Sequence, residues 1–271
     1  MHINEQYRQK ELTEEKEYLF IEREGHSNRE QERILLEHLM EVYVNEVLTM
    51  KLICIPEFLT ELVLGRLFTG GIIQSIAEVD SVYICEFGNR AKVLLNHPKK
   101  QKEEEYVETT PTCCTGNRIL NDYFVSHQAM APVQPIAWKT SWIFRLADEF
   151  EKDTPLHRET TATHSCYLAQ GEEILFHCED IGRHNAMDKA IGYALRHGID
   201  LRQCILYTSG RIPTDMAEKA VRAGIPILAG KAAVTAQAIA LADTYGLTLI
   251  GMAKRKFMKQ YAGIPPQDED R

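Results

Sequence analysis

The first 33 positions show no sustained apolar period and are dominated by Glu, Gln, Lys and Arg. Such a stretch predicts a tail or a loose helix, because it cannot bury enough surface to order itself. From about residue 35 the pattern tightens. Apolar runs over 39–44 and 47–55 flank Asn45-Glu46 and predict a hairpin. Pro56 then suits the first turn of a helix whose apolar face is Phe58, Leu59, Leu62, Val63 and Leu67, and which Gly70-Gly71 end. Runs over 79–85 and 91–95 predict two more strands. Residues 97–118 turn polar, and no regular element fits them. A helix is expected over 137–151, with Trp138, Trp142, Ile143 and Leu146 on one side. Residues 164–169 and 173–178 flank Gln170-Gly171 as a second hairpin. Met187, Ala190, Ile191, Ala194 and Leu195 mark one face of a helix that stops at Gly198.

A regular alternation follows: strand 203–208, helix 214–222 closed by Gly224, strand 225–228, helix 234–245 closed by Gly246, strand 247–252. Short strands joined by single helices predict an α/β fold, with a mixed or parallel sheet covered by helices on its faces. The expected organisation is a loosely ordered charged extension (1–34), a smaller strand-rich unit (35–110), an α/β core (111–265) and a short tail (266–271).

Chemistry concentrates at the ends of the core strands. The stretch from Glu179 to Lys189 carries six ionisable side chains, Glu179, Asp180, Arg183, His184, Asp188 and Lys189, around a strand-to-helix junction. Gly182 permits a sharp turn there, so that the first helical amides, Arg183 and His184 share one region, an arrangement suited to an anion. Open α/β sheets bind ligands beyond the carboxyl ends of their strands. The corresponding places on the other strands hold Ser209-Gly210-Arg211, Ala229-Gly230-Lys231 and Lys254-Arg255-Lys256. Each cation alone reads as an ordinary solvated loop residue; their recurrence at matching positions points to phosphate groups.

Cys113-Cys114, in a Thr/Pro/Gly/Asn-rich run, form the second constellation. A vicinal cysteine pair in a polar, helix-breaking loop has no evident packing role, and an accessible thiolate beside cations is a nucleophile or a sulfur carrier. The other five cysteines, Cys54, Cys85, Cys166, Cys178 and Cys204, fall in apolar strand-like runs and are expected in the core. His177-Cys178-Glu179 is a His-x-Glu, the first part of a zinc deaminase site. Such a site requires two cysteines separated by two residues and placed after the His-x-Glu, whereas the vicinal pair is adjacent and comes first.

Composition narrows the classes. With 271 residues, 44% hydrophobic and 26% charged, the chain has the balance of an ordinary globule. No run of about eighteen apolar residues exists to span a bilayer. The charged first residues lack the apolar core of a signal peptide, so a cytoplasmic location is expected. A net charge of -8 argues against long nucleic acid as a partner. Seven cysteines, an odd number, in a reducing compartment suggest working thiols and not a disulfide framework.

From about Val44 to Gly263 the chain resembles the formate dehydrogenase accessory sulfurtransferases, the FdhD family. The resemblance rests on the Glu179 to Lys189 stretch, then Ser209-Gly210-Arg211, Ala223-Gly224-Ile225-Pro226-Ile227-Leu228 and Leu247-Thr248-Leu249-Ile250-Gly251, in that order and spacing. Val44-Asn45-Glu46, Leu64-Gly65-Arg66-Leu67-Phe68 and Gly70-Gly71-Ile72-Ile73 are similar to the family too. The resemblance implies a cytidine-deaminase-like α/β fold without zinc. It also implies a sulfurtransferase that takes a persulfide from a cysteine desulfurase and passes its sulfur to the molybdenum or tungsten bis-pyranopterin guanine dinucleotide cofactor of a formate dehydrogenase. A homodimer is expected to enclose so large a ligand.

By resemblance the sulfur carrier is Cys113, and the cofactor segment falls on Met252, Ala253, Lys254, Arg255, Lys256 and Phe257. Asp180, Arg183, His184, Ser209, Gly210 and Arg211 complete the expected cofactor contacts. Two departures stand out. Many members have Cys-x-x-Cys where this chain has Cys113-Cys114, which leaves open which thiol carries the sulfur. The cofactor segment often contains a glycine and an arginine where this chain has Lys254-Arg255-Lys256-Phe257. A delivery module that binds the cofactor without covalent sulfur chemistry is the alternative from another class, and a zinc nucleobase deaminase a more remote one.

Overall fold

The computed structural model describes residues 1–8, 11–97, 109–110, 130–152 and 154–268. Cys113 and Cys114 lie outside the described residues.

Five layers build the molecule. The outermost is a six-stranded sheet of order β1-β6-β7-β4-β5-β8, formed by β1 (His2–Glu5), β4 (His38–Val44), β5 (Val47–Cys54), β6 (Val79–Ile84), β7 (Arg90–Leu95) and the short β8 (Thr109–Thr110). The hairpin β4–β5 turns at Asn45 and Glu46, both with positive φ (49° and 66°), the backbone that matches the twist of a two-residue hairpin. Alternate residues of these strands, among them Met40, Val42, Leu52, Val82 and Val93, bury against helix α1 (Leu59–Thr69).

Three helices form the next covering of the second sheet: α4 (Arg183–His197), α5 (Thr214–Arg222) and α6 (Ala236–Tyr245). Helices α1 and α4 meet at two glycines. A Cβ at Gly65 would lie 1.8 Å from the Asp188 carbonyl oxygen, and one at Gly192 would lie 1.8 Å from that of Glu61, so only glycine permits this approach. Sequence periodicity gave α1 one apolar face, yet it is buried on nearly every side, because α4 covers what the first sheet leaves open.

The second sheet has the order β10-β9-β11-β12-β13-β14, from β9 (His164–Gln170), β10 (Glu173–Asp180), β11 (Ile205–Thr208), β12 (Ile227–Gly230), β13 (Thr248–Lys254) and β14 (Phe257–Ala262). Strand β9 is antiparallel to both β10 and β11, while β11, β12 and β13 pair in parallel. The carboxyl ends of β10, β11, β12 and β13 therefore share one edge. On β9, Cys166 and Leu168 face the core under α4 and α5. Tyr167 and Ala169 face the opposite layer, helix α2 (Thr140–Lys152), with Trp138, Ile143 and Leu146. The result is a mixed α/β architecture.

The structure corrects several expectations. Residues 1–34 are no loose tail: β1 joins the first sheet in parallel with β6, and β2 (Thr13–Ile21) pairs antiparallel with β3 (Ser27–Leu35) as a separate ribbon. Order there comes from cross-strand pairing and not from burial. Tyr18 Oη donates to Glu30 at 2.8 Å, Arg29 pairs with Glu17, and Arg33 reaches Glu159 at 2.9 Å on the short helix α3 (Pro155–Thr160). The basic triplet 254–256 is no free loop after a last strand, because the chain turns there and returns as β14. Cys54, Cys166, Cys178 and Cys204 are buried as expected, but Cys85 is only half-buried, since β6 ends one residue before it. Among the described residues no helix is long and apolar enough to cross a membrane.

Candidate functional site

The six ionisable residues of the Glu179 to Lys189 stretch divide into two groups with different work. Four are turned inward. Asp180 and Lys189, both 0% exposed, pair at 2.6 Å. Asp180 also accepts hydrogen bonds from Ile55 N (3.2 Å), Gly182 N (3.1 Å) and Asn185 Nδ2 (2.9 Å), while Lys189 Nζ donates to the Ile55 carbonyl at 3.1 Å. Asn185 Nδ2 reaches the Ile53 carbonyl at 2.7 Å. Burial, the largest influence, would lower the Lys189 pKa, but the Asp180 carboxylate together with Cys54 and Cys178 offsets it and holds the value above the usual lysine range. Asp188 receives Lys219 Nζ at 2.5 Å and Thr69 Oγ1 at 2.8 Å. Desolvation pulls Lys219 down to about 8, with Asp188 opposing and Arg66 reinforcing the shift. Glu179 accepts from Leu156 N (3.0 Å), His157 N (2.8 Å) and Thr163 Oγ1 (2.8 Å). Asp180, expected to touch the ligand, is thus the centre of a clamp between the end of β5 and helix α4.

Arg183 and His184 remain at the sheet edge. The Arg183 stem lies over Gly210, where an added Cβ would come within 2.8 Å of Arg183 Cδ and 2.9 Å of its Cβ. Gly210 is therefore what lets the arginine cross the end of β11. The loops after β11, β12 and β13 are laced together: Ile212 N donates to the Ala233 carbonyl (3.0 Å), Lys231 N to that of Thr208 (2.9 Å) and Met252 N to that of Ala232 (2.9 Å). Met252 carries φ 50°, a strained value for a side chain of its size, at a bulge between β13 and β14. The edge thus gathers Arg183, Arg211, Lys231, Lys254, Arg255 and Lys256.

Not all the expected contacts are presented alike. Ser209 Oγ accepts from Ser165 N at 3.0 Å and lies 3.3 Å from His164 Nδ1, so it braces β9. Ala253 is 1% exposed, with its carbonyl accepting Tyr207 Oη at 2.8 Å. Arg255 Nε donates to Asp148 (2.8 Å) and Lys231 pairs with Glu151 (3.1 Å), both on α2. Arg211, Lys254, Lys256 and Phe257 are exposed.

Three site residues escaped the sequence reading: His164, His157 and Asp215. His164 has its pKa lowered by burial first and by Arg183 next. His157 Nδ1 lies 2.9 Å from the Thr163 carbonyl. Asp215 Oδ2 sits 3.4 Å from His184 Nε2. The usable signal for Asp215 was Pro213-Thr214-Asp215, a helix start directly behind Ser209-Gly210-Arg211. Burial pushes the thiols of Cys54, Cys166 and Cys178 up, and that of Cys204 to about 11, which makes all four poor nucleophiles. Among the described residues no group of three or more His, Cys, Asp or Glu is placed to hold a metal ion.

The site is a cationic, glycine-lined edge at the carboxyl ends of the strands of a mixed α/β protein. The family model of the FdhD/NarQ family matches residues 35–266, and the chain belongs to that family. It is 31% identical over 234 residues to the Listeria monocytogenes (strain F2365) protein named sulfur carrier protein FdhD, covering 85% of this chain and 90% of that one. The Bacillus subtilis protein of the same name is 28% identical over 239 residues, covering 88% and 91%. A crystal structure from Desulfotalea psychrophila, described as a formate dehydrogenase accessory protein, superimposes with a TM-score of 0.76 at 22% identity, covering 93% of this chain and 98% of that one; it shares the fold.

Proposed function

We propose that this chain is a sulfur carrier for a formate dehydrogenase. A thiol at Cys113 or Cys114 takes the terminal sulfur of a cysteine desulfurase persulfide, leaving the desulfurase as thiol. It then hands that sulfane sulfur to the reduced metal of the molybdenum or tungsten bis-pyranopterin guanine dinucleotide, which supplies the two electrons and is bound as cargo with its phosphates on the cationic edge, and the carrier returns to its thiol. A cytoplasmic homodimer with a cytidine-deaminase-like, zinc-free core belongs to the same reading.

The observation that carries it is the register of β8. Thr109 and Thr110 pair in parallel with Lys51 and Leu52, so the chain leaves β8 in the direction in which β5 runs toward Ile53 and Ile55. The backbone of those two residues is held by Asn185, Asp180 and Lys189, on or just before the first turns of the helix that carries Arg183 and His184. Cys113 follows Thr110 by three residues, a reach of at most ~10–11 Å. A thiol brought to the cationic edge from this starting point would be favoured as its thiolate.

The test is mass spectrometry after incubation with a cysteine desulfurase and cysteine. One added sulfur is expected on the peptide holding Cys113 and Cys114. Label on the peptides of Cys166 or Cys204 would refute the carrier assignment. Absence of label, with guanosine diphosphate still binding, would leave a delivery module without sulfur chemistry.

A further inference from the structure

His184 takes no part in the clamp. It is the second residue of α4, next to Arg183, and is 9% exposed. Its Nε2 faces Asp215 Oδ2 at 3.4 Å, a contact and not an aligned hydrogen bond. Both ring nitrogens are buried and have no hydrogen-bond partner among the described residues, and no carboxylate among them faces Nδ1. Buried polar atoms are almost always partnered, so an orphaned ring nitrogen beside a candidate anion site asks for a reason.

The charges facing the ring come from every element around it: Arg183 on its own helix, Lys219 and Asp215 on α5, Arg66 on α1 and His164 on β9. Asp188, one helical turn further along α4, is already engaged by Lys219. Desolvation first, then the Lys219, Arg183 and Arg66 charges, keep the imidazole neutral. A neutral ring carries one N–H. The carboxylate of Asp215 selects Nε2 for it, leaving the Nδ1 lone pair as the orphan.

We propose that His184, oriented by Asp215, is a proton-accepting residue: a phosphate-bearing anion arriving on the cationic edge is bound together with one proton taken up on Nδ1. This deepens the phosphate-site reading above and rests on it. The proton comes from solvent, an Nδ1–H bond forms, and no bond in the ligand breaks. The anion cancels the positive field that disfavours imidazolium. The new N–H and the ion pair with Asp215 then offset part of the burial cost.

Guanosine diphosphate is the probe. Its affinity for the wild-type protein, measured by titration calorimetry from pH 8 to pH 6, is expected to rise as pH falls, approaching tenfold per pH unit for one linked proton. His184→Gln, shown folded by its thermal transition, should bind with a flatter slope. The titration of the nucleotide's own phosphate and of His164 is common to both proteins, so the difference in slope isolates His184. Equal slopes, with binding retained, would overturn the coupling alone. No binding by the wild-type protein at any pH would overturn the phosphate reading and the coupling with it. Nitrogen NMR of the ligand-free protein gives an independent check: a neutral ring protonated at Nε2 is expected at pH 7, and an imidazolium or an Nδ1–H tautomer refutes the proposal.

Discussion

Replacing Asp180 by alanine should unfasten the clamp between β5 and α4, and its cost can be bounded from the structure. The substitution leaves the Lys189 ammonium at 0% exposure with, among the described residues, the carbonyls of Ile55 (3.1 Å) and Glu179 (3.4 Å) as partners. It also removes the acceptor of Ile55 N, Gly182 N and Asn185 Nδ2. Breaking a buried pair from one side costs about 3–5 kcal/mol. Lysine has an escape, since it can shed its proton. From an ordinary pKa of about 10.4, doing so at pH 7 costs ~1.36 × 3.4, or about 4.6 kcal/mol, which caps the charge part of the penalty. Urea unfolding at pH 7 should therefore show Asp180→Ala less stable by about 3–5 kcal/mol. The variant should regain stability as pH rises toward 10: its folded state holds Lys189 neutral while its unfolded state still binds that proton, so unfolding releases none and instead takes one up. The double variant Asp180→Ala/Lys189→Met, which buries no charge, should be more stable than Asp180→Ala at pH 7. A single-variant loss below about 1 kcal/mol, or a double variant no better than the single, would refute the assignment of these residues to a buried clamp.

Gly210→Ala should push the Arg183 stem aside, since the new Cβ meets it at 2.8 Å, and weaken guanosine diphosphate binding by about 1.5–3 kcal/mol through loss of a charged contact, with the thermal transition little moved. A variant that binds normally would remove Arg183 from the site. Stability of the ligand-free protein should fall as the solution is acidified through about pH 6.5, the ordinary histidine value, because burial holds His184 and His164 below it and the unfolded chain binds more protons. Denaturation midpoints from pH 8 to pH 5 test this, with a slope of at most about 1.4 kcal/mol per pH unit per histidine; a flat profile contradicts it.

Local rules explain most of the elements that the sequence determined. Asn45-Glu46 between apolar runs specified a hairpin, and the left-handed glycines Gly198, Gly224 and Gly246 ended or followed helices where only glycine adopts positive φ without strain. The alternation after residue 203 specified parallel strands, and parallel strands put Gly210, Gly230 and Lys254 on one edge whatever the details. Tertiary structure decided the rest. Charge density in the Glu179 to Lys189 stretch marked the place but could not divide it, because Asp180 and Lys189 differ from Arg183 and His184 only in which way a helix and a strand turn them. The ribbon β2–β3 was hidden because its order lies in backbone partners across the pair, which a single strand's pattern does not display. The His184 and Asp215 contact, and the β8 register beside β5, join residues far apart in the chain, and only the packing of layers brings them together.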